Sequence, residues 1–251
     1  MEHIMNRTSI SDLKAKAKDQ LLGNYGIAAG SFALLFVLVY TIMMIVMIPY
    51  TGAIAASAVR TGQPGLLTQL LSQLIGMAIG ALTVTFSVGY IYILYRISKG
   101  EKPVLSDLFF VFKNHPDKVL IICIVMMAAQ FILLLPTTLV MPIRQGRFEA
   151  KAFLLYIVLY LTGFVISFII DIMLSMSYLI YIEDPDKPVI AMMKESIVMM
   201  RGNKFRYFYM LLSFIGYAFL VILSLGIAIL WVGPYQSMTM IEFYYDLKGE
   251  A

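Results

Sequence analysis

The chain has 251 residues, of which 61% are hydrophobic and only 14% charged, with a net charge of +4. A soluble domain carries about 25% charged and about 45–50% apolar residues, so a water-soluble globular protein is excluded. Apolar runs of the ~20 residues that cross ~30 Å of hydrocarbon recur along the chain. The ~10-residue alternating segments of a membrane β-barrel are absent. The fold class is therefore all-α, a polytopic membrane helix bundle. The single cysteine, Cys123, lies in an apolar run and leaves no disulfide within the chain. The amino-terminal stretch does not read as a cleavable leader, because its charged region is roughly 20 residues long and the apolar run after it exceeds a leader's ~7–15.

Residues 1–22 are polar with a helical pattern. Ser9 and Asp12 fit a capping-box variant at the helix start. Ile10, Leu13, Ala17 and Leu21 share one face and Lys14 and Lys18 lie elsewhere, which predicts a helix lying on the membrane surface. A first span is predicted over 25–48, with Gly26 and Gly30 spaced for close helix approach. Residues 49–66 read as a small-residue loop. The second span covers 67–95, with Gly76 and Gly80 at the same small-residue spacing. Residues 96–118 are charged, and 106–113 read as a short interfacial helix capped by Ser106. The third span is 119–140, kinked or ended by Pro136. A loop at 141–151 leads into the longest span, 152–182.

Residues 183–206 form the largest charged segment. Pro188 suits a first helical turn, and Val189, Met193, Ile197 and Met200 form an apolar stripe. The fifth span is 207–223, followed by a tight turn at 224–226. A sixth span, 227–246, would be interrupted at Gly233-Pro234. The alternative is five spans, with 207–232 continuous and an interfacial tail. Charge favours six. With the amino terminus in the cytoplasm, all but four of the 19 Lys and Arg fall on the cytoplasmic side, leaving Arg60, Arg144, Arg147 and Lys151 opposite. Both termini are then cytoplasmic.

Three joints between charged and apolar segments resemble one another. Asn24 ends Leu21-Leu-Gly-Asn24, Asn114 follows Phe112-Lys113, and Asn203 ends Met200-Arg-Gly-Asn203, at near-equal separations. Ser11-Asp-Leu13 matches Ser106-Asp-Leu108, and Lys102-Pro-Val104 matches Lys187-Pro-Val189. Even-numbered spans end in tyrosines. The chain reads as three pseudo-repeated units, 1–96, 97–182 and 183–251, within a single membrane domain. Each unit is a cytoplasmic interfacial helix followed by a membrane hairpin, giving about six transmembrane helices. Glycine or asparagine at each joint ends a helix in a left-handed conformation. The basic residues beside the joints, Lys14, Lys18, Arg201, Lys204 and Arg206, are placed to meet anionic lipid head groups or a protein partner.

Residues 200–247 resemble a bacterial integral membrane family catalogued as domain of unknown function 975. The resemblance rests on Met200-Arg-Gly-Asn203, Leu212-Ser-Phe-Ile-Gly-Tyr217, Leu225-Gly-Ile227, Trp231, Pro234-Tyr235 and Phe243-Tyr-Tyr-Asp-Leu247. Leu22-Gly-Asn24, Gly89-Tyr90, Gly100 and Ser106-Asp-Leu-Phe109 fit it as well. The resemblance implies a multi-span protein of the bacterial cell membrane. The family carries no established reaction, so it implies no catalytic residues.

No catalytic, cofactor, metal or nucleic-acid signature stands out. The two histidines, His3 and His115, sit in charged segments without metal-ligand spacing. No P-loop and no G-x-S-x-G elbow is present. The 18 methionines are scattered and read as packing. The clear intramembrane charge is Asp171. It shares a helix face with Ser167, Ser175 and Tyr178, and Gln130 is the notable polar group of the third span. An acid at mid-bilayer is a candidate functional site. The sequence therefore suggests a non-enzymatic scaffold or accessory protein bound to lipid and a protein partner. The alternative is a transporter or exporter component with a polar pathway at Asp171.

Overall fold

A computed structural model describes residues 7–61, 66–140, 143–144 and 147–250. The described residues are helical apart from connections and a two-residue hairpin, Ile143–Arg144 paired with Arg147–Phe148. Five segments are long and apolar enough to cross a membrane: Tyr25–Gly52, Leu74–Ser98, Pro116–Thr137, Ala150–Glu183 and Lys204–Leu223. The described residues fall into two compact units, one of 117–213 and one of the rest.

In the first unit, helix α1 (Ile10–Leu21) starts at Ser9. The Ser9 hydroxyl accepts from the Asp12 N–H at 3.1 Å and donates to the Asp12 carboxylate at 2.7 Å. Leu13, Ala17 and Leu21 are fully buried, as the helical period requires. Burial of Leu13 and Leu21 contributes about 1.5–3 kcal/mol each. Their partner is α11 (Ile229–Lys248), which also packs on α2 (Tyr25–Thr61) and α3 (Leu66–Ser98). The Thr8 N–H donates to Asp246 at 2.9 Å, so the start of α1 lies beside the last turns of α11.

A 3-10 turn (Leu105–Phe109) and α4 (Phe110–Lys113) pack on α3. The expected Ser106 cap is replaced by Asp107, which accepts from the Val104 N–H at 2.9 Å and from Arg96 at 2.6 Å. Residues 49–61 continue α2 instead of forming a loop. Their alanines are strong helix formers, which outweighs the turn signals nearby. The connection 62–65, and with it the remainder of the expected loop, lies outside the described residues.

The second unit contains α5 (Pro116–Leu139), α6 (Ala150–Leu174), α7 (Ser177–Glu183), α8 (Val189–Met199) and α9 (Lys204–Leu212). Pro136 sits inside α5 without ending it there. The expected fourth span breaks at Ser175–Met176. Ser196 of α8 fills the break, accepting from the Met176 N–H at 3.2 Å and donating to the Met173 carbonyl at 2.8 Å. This rotates α8 relative to the expected stripe, so that Met192, Ser196 and Met200 are the buried line.

The fifth apolar stretch spans α9 and α10 (Ile215–Leu223), with a turn at Ser213–Phe214 between them. The chain then reverses at Leu225 (φ 53°) and Gly226 (φ 91°) in the expected tight turn. The expected interruption at Gly233-Pro234 is absent, because Pro234 lies within α11. That helix, with Gln236, Thr239, Glu242 and Asp246, is not among the five strongly apolar segments.

Close helix approach falls on glycines other than the expected Gly26, Gly30 and Gly76. A Cβ on Gly26, Gly30 or Gly76 would meet nothing within 4 Å. A Cβ on Gly163 would lie 2.9 Å from the Leu133 carbonyl oxygen, and one on Gly233 would lie 2.6 Å from the Phe32 ring. A Cβ on Gly89 would collide with the Leu108 carbonyl.

The three joints share a pair of hydrogen bonds. The side-chain amide of Asn24 donates to the Gln20 carbonyl at 3.2 Å, that of Asn114 to Phe110 at 2.9 Å, and that of Asn203 to Met199 at 3.0 Å. The three backbone N–H groups donate to Leu21, Val111 and Met200 at 2.9, 3.2 and 3.1 Å. In each case the acceptors lie four and three residues back, so two carbonyls at the end of the preceding helix are satisfied by one residue. The left-handed residue is Gly23 (φ 82°), His115 (φ 54°) or Gly202 (φ 78°), next to the asparagine rather than the asparagine itself. Replacing Asn203 by Ala is expected to cost about 1 kcal/mol from the lost bond, and Asp, which points a carboxylate at the Met199 carbonyl, about twice that or more. Thermal unfolding of the purified variants in detergent measures the order, wild type above N203A above N203D.

Candidate functional site

Asp171 projects from α6 towards α5, where Gln130 donates to its two carboxylate oxygens at 3.2 and 3.4 Å. The pair borders a small pocket of about 180 Å³ whose other walls include Leu134, Tyr160, Phe164 and Phe168. Ser167, one turn before Asp171, lines the same pocket, and its buried hydroxyl has no hydrogen-bond partner among the described residues. Asp171, Gln130 and Ser167 therefore form one site.

The other two residues of the expected stripe do not join it. Ser175 lies at the helix break, where its hydroxyl donates to the Ile172 carbonyl at 2.8 Å and bonds the Tyr207 hydroxyl. Tyr178, beyond the break, turns its hydroxyl to the Met126 sulfur at 3.7 Å. A continuous helix would have aligned all four; the break at Ser175–Met176 separates them. With one acid, one amide and one hydroxyl among aromatic walls, the site can exchange a proton or hold a few waters.

The basic residues divide into two kinds. The Lys14 ammonium stands 4.0 Å from the Phe214 ring centroid and 5.4 Å from that of Tyr217. Desolvation there holds its pKa below the ordinary lysine value. Lys14 thus clasps α1 to the start of α10, within the fifth stretch. Lys18 borders an aromatic groove of about 420 Å³ with Tyr25, Tyr217, Trp231 and Tyr235. In the second unit Arg201 is exposed, and Lys204 and Arg206 are half-buried at the third corner.

Two polar groups escaped the sequence-based expectations. Ser196 was masked by its place in an amphipathic helix. Glu242 is only 3% exposed and sits in α11 at helical spacing with buried Met238 and Tyr245. An acid in line with an apolar stripe was the signal that could have found it. Among the described residues, no group of three His, Cys, Asp or Glu is placed to hold a metal ion.

Five helical segments long and apolar enough to cross a membrane point to a multi-span helical membrane protein. The sequence model of the family described as protein of unknown function (DUF975) matches residues 5–251, and the chain belongs to that family. No curated protein and no solved structure matches the chain.

The Asp171 contacts predict an asymmetric response. Asp171→Asn keeps the shape and can still bond Gln130, and should shift stability by less than about 1 kcal/mol. Gln130→Leu strips the acid of its donor and should cost more, about 1–3 kcal/mol. Unfolding of both variants in bilayer nanodiscs checks the ranking.

Proposed function

We propose that the protein is a non-enzymatic scaffold or accessory protein of the bacterial cell membrane. It crosses the bilayer six times as three repeated units, with both termini in the cytoplasm. The observation that carries this reading is the corner geometry: three asparagines make the same two hydrogen bonds where a surface helix gives way to an apolar one. Such corners hold amphipathic helices flat at the interface. The Thr8–Asp246 bond supports an even number of crossings, because it brings the start of α1 and the end of α11 to one end of their unit. α11 is then the sixth crossing, its polar residues turned inward.

Lys18, Arg201, Lys204 and Arg206 grip anionic head groups at about 1 kcal/mol per residue. The surface helices offer a platform to a membrane or cytoplasmic protein partner. A second reading, transport through the Asp171 site, is favoured by its pocket and by the unpartnered Ser167 hydroxyl. Against it stands the Gln130 bond, which gives Asp171 a structural partner.

Reconstitution separates the two. In vesicles of phosphatidylethanolamine and phosphatidylglycerol carrying a pH-sensitive dye, an imposed pH gradient and potential should decay as in protein-free vesicles, with wild type and D171N alike. Converting Arg201, Lys204 and Arg206 together to Gln should weaken phosphatidylglycerol retention, read by native mass spectrometry, by about 100-fold. Proton flux that disappears in D171N would replace the scaffold reading with transport.

A further inference from the structure

A second polar site lies in the first unit, where α1, the carboxyl end of α3 and the last turns of α11 enclose a cleft of about 320 Å³. That volume is at the lower end of the ~300–1,000 Å³ range of small-molecule sites. Its floor carries two acceptors without donors. The Gln20 side chain donates to the Glu242 carboxylate, which fixes the amide with its nitrogen inward. The remaining oxygens, Glu242 Oε1 and Gln20 Oε1, are both buried and have no hydrogen-bond partner among the described residues. Buried oxygens of this kind are satisfied in nearly all folded proteins, so each calls for a donor, and both residues line this cleft.

The rim is basic. Lys16 faces Glu242, and the Lys99 ammonium lies 4.5 Å from the Tyr245 ring centroid and 5.6 Å from that of Tyr95. Glu250, at the edge, is neutralised by Lys248 at 2.9 Å. The hydroxyls contribute no free proton: Ser98 donates to the Tyr95 carbonyl at 2.7 Å, so Tyr245 donates to Ser98 at 2.8 Å. A simple anion would meet the Glu242 carboxylate at the floor. A simple cation would have to pass Lys16 and Lys99. The arrangement suits a molecule with both charges.

We propose that this cleft binds a small zwitterion, with a primary ammonium donating to Glu242 Oε1 and Gln20 Oε1 and an anionic phosphate or carboxylate held by Lys16 and Lys99. An ammonium supplies three N–H donors, whereas a quaternary amine supplies none. The ligand is therefore an ethanolamine-phosphate type of group and not a choline-phosphate type. It can come from a phospholipid head group at the interface or from a free zwitterion in solution. The site stands on the geometry of one unit and is independent of the choice between scaffold and transporter.

The full-length protein in detergent, offered equimolar phosphatidylethanolamine and phosphatidylcholine, should retain the first over the second by about tenfold in native mass spectrometry. Free O-phosphoethanolamine should displace it. Glu242→Gln, isosteric but uncharged, should abolish the preference, and Lys99→Gln should weaken phosphoethanolamine while sparing ethanolamine. Binding of free phosphoethanolamine without lipid preference assigns the site to a soluble zwitterion. Equal retention of both lipids with no binding of the free compound overturns the proposal. So does a preference that survives Glu242→Gln, or phosphatidylglycerol competing equally at the same residue. If the Glu242 variant does not fold, the wild-type comparison of the two lipids decides alone.

Discussion

The structure depends on how an amphipathic helix gives way to an apolar one long enough to cross a membrane. At that point the chain must end one hydrogen-bond ladder and begin another beside a medium that solvates neither carbonyls nor amides. One asparagine handles two of the carbonyls, through its side-chain amide and its backbone N–H, at Asn24, Asn114 and Asn203. A residue of positive φ beside it turns the chain. At the first and third corners that residue is glycine, for which the left-handed region carries no steric penalty. At the second it is His115, whose left-handed backbone is tolerated less readily, and Pro116 starts the helix directly after it.

Two helix contacts bring backbone directly against backbone. Gly89 lets the Leu108 carbonyl rest on α3, and Gly163 lets the Leu133 carbonyl rest on α6. In hydrocarbon the hydrophobic effect no longer drives helices together, so such close approaches and side-chain hydrogen bonds carry more of the association. The clasp of Lys14 over Phe214 and Tyr217 does the corresponding work for α1.

Much of this was legible in the sequence. The helical period placed Leu13, Ala17 and Leu21 in the core, and the asparagine joints stood out by repetition. The glycines did not, because spacing such as Gly26–Gly30 shows that close approach is permitted and not that a neighbour arrives. The break at Ser175–Met176 was hidden in a continuous apolar run, since the group that stabilises it, Ser196, is distant in sequence. That break is also why Ser175 and Tyr178 leave the Asp171 site. Glu242 does not stand out in the sequence, because its stretch also carries Gln236, Thr239 and Asp246. Its burial depends on α1 closing over α11, a long-range contact that no local pattern encodes.

The central claim is that the three corners lie on one face of the membrane, each turning a surface helix into a crossing one. Single cysteines placed at Lys18, Lys113 and Arg201, in a chain whose own Cys123 is replaced by Ala, test it directly with a membrane-impermeant maleimide applied to intact cells and to inverted vesicles. All three are exposed beside their corners. The account predicts labelling of all three in inverted vesicles and of none in intact cells; labelling of any one of them from outside the cell would contradict it.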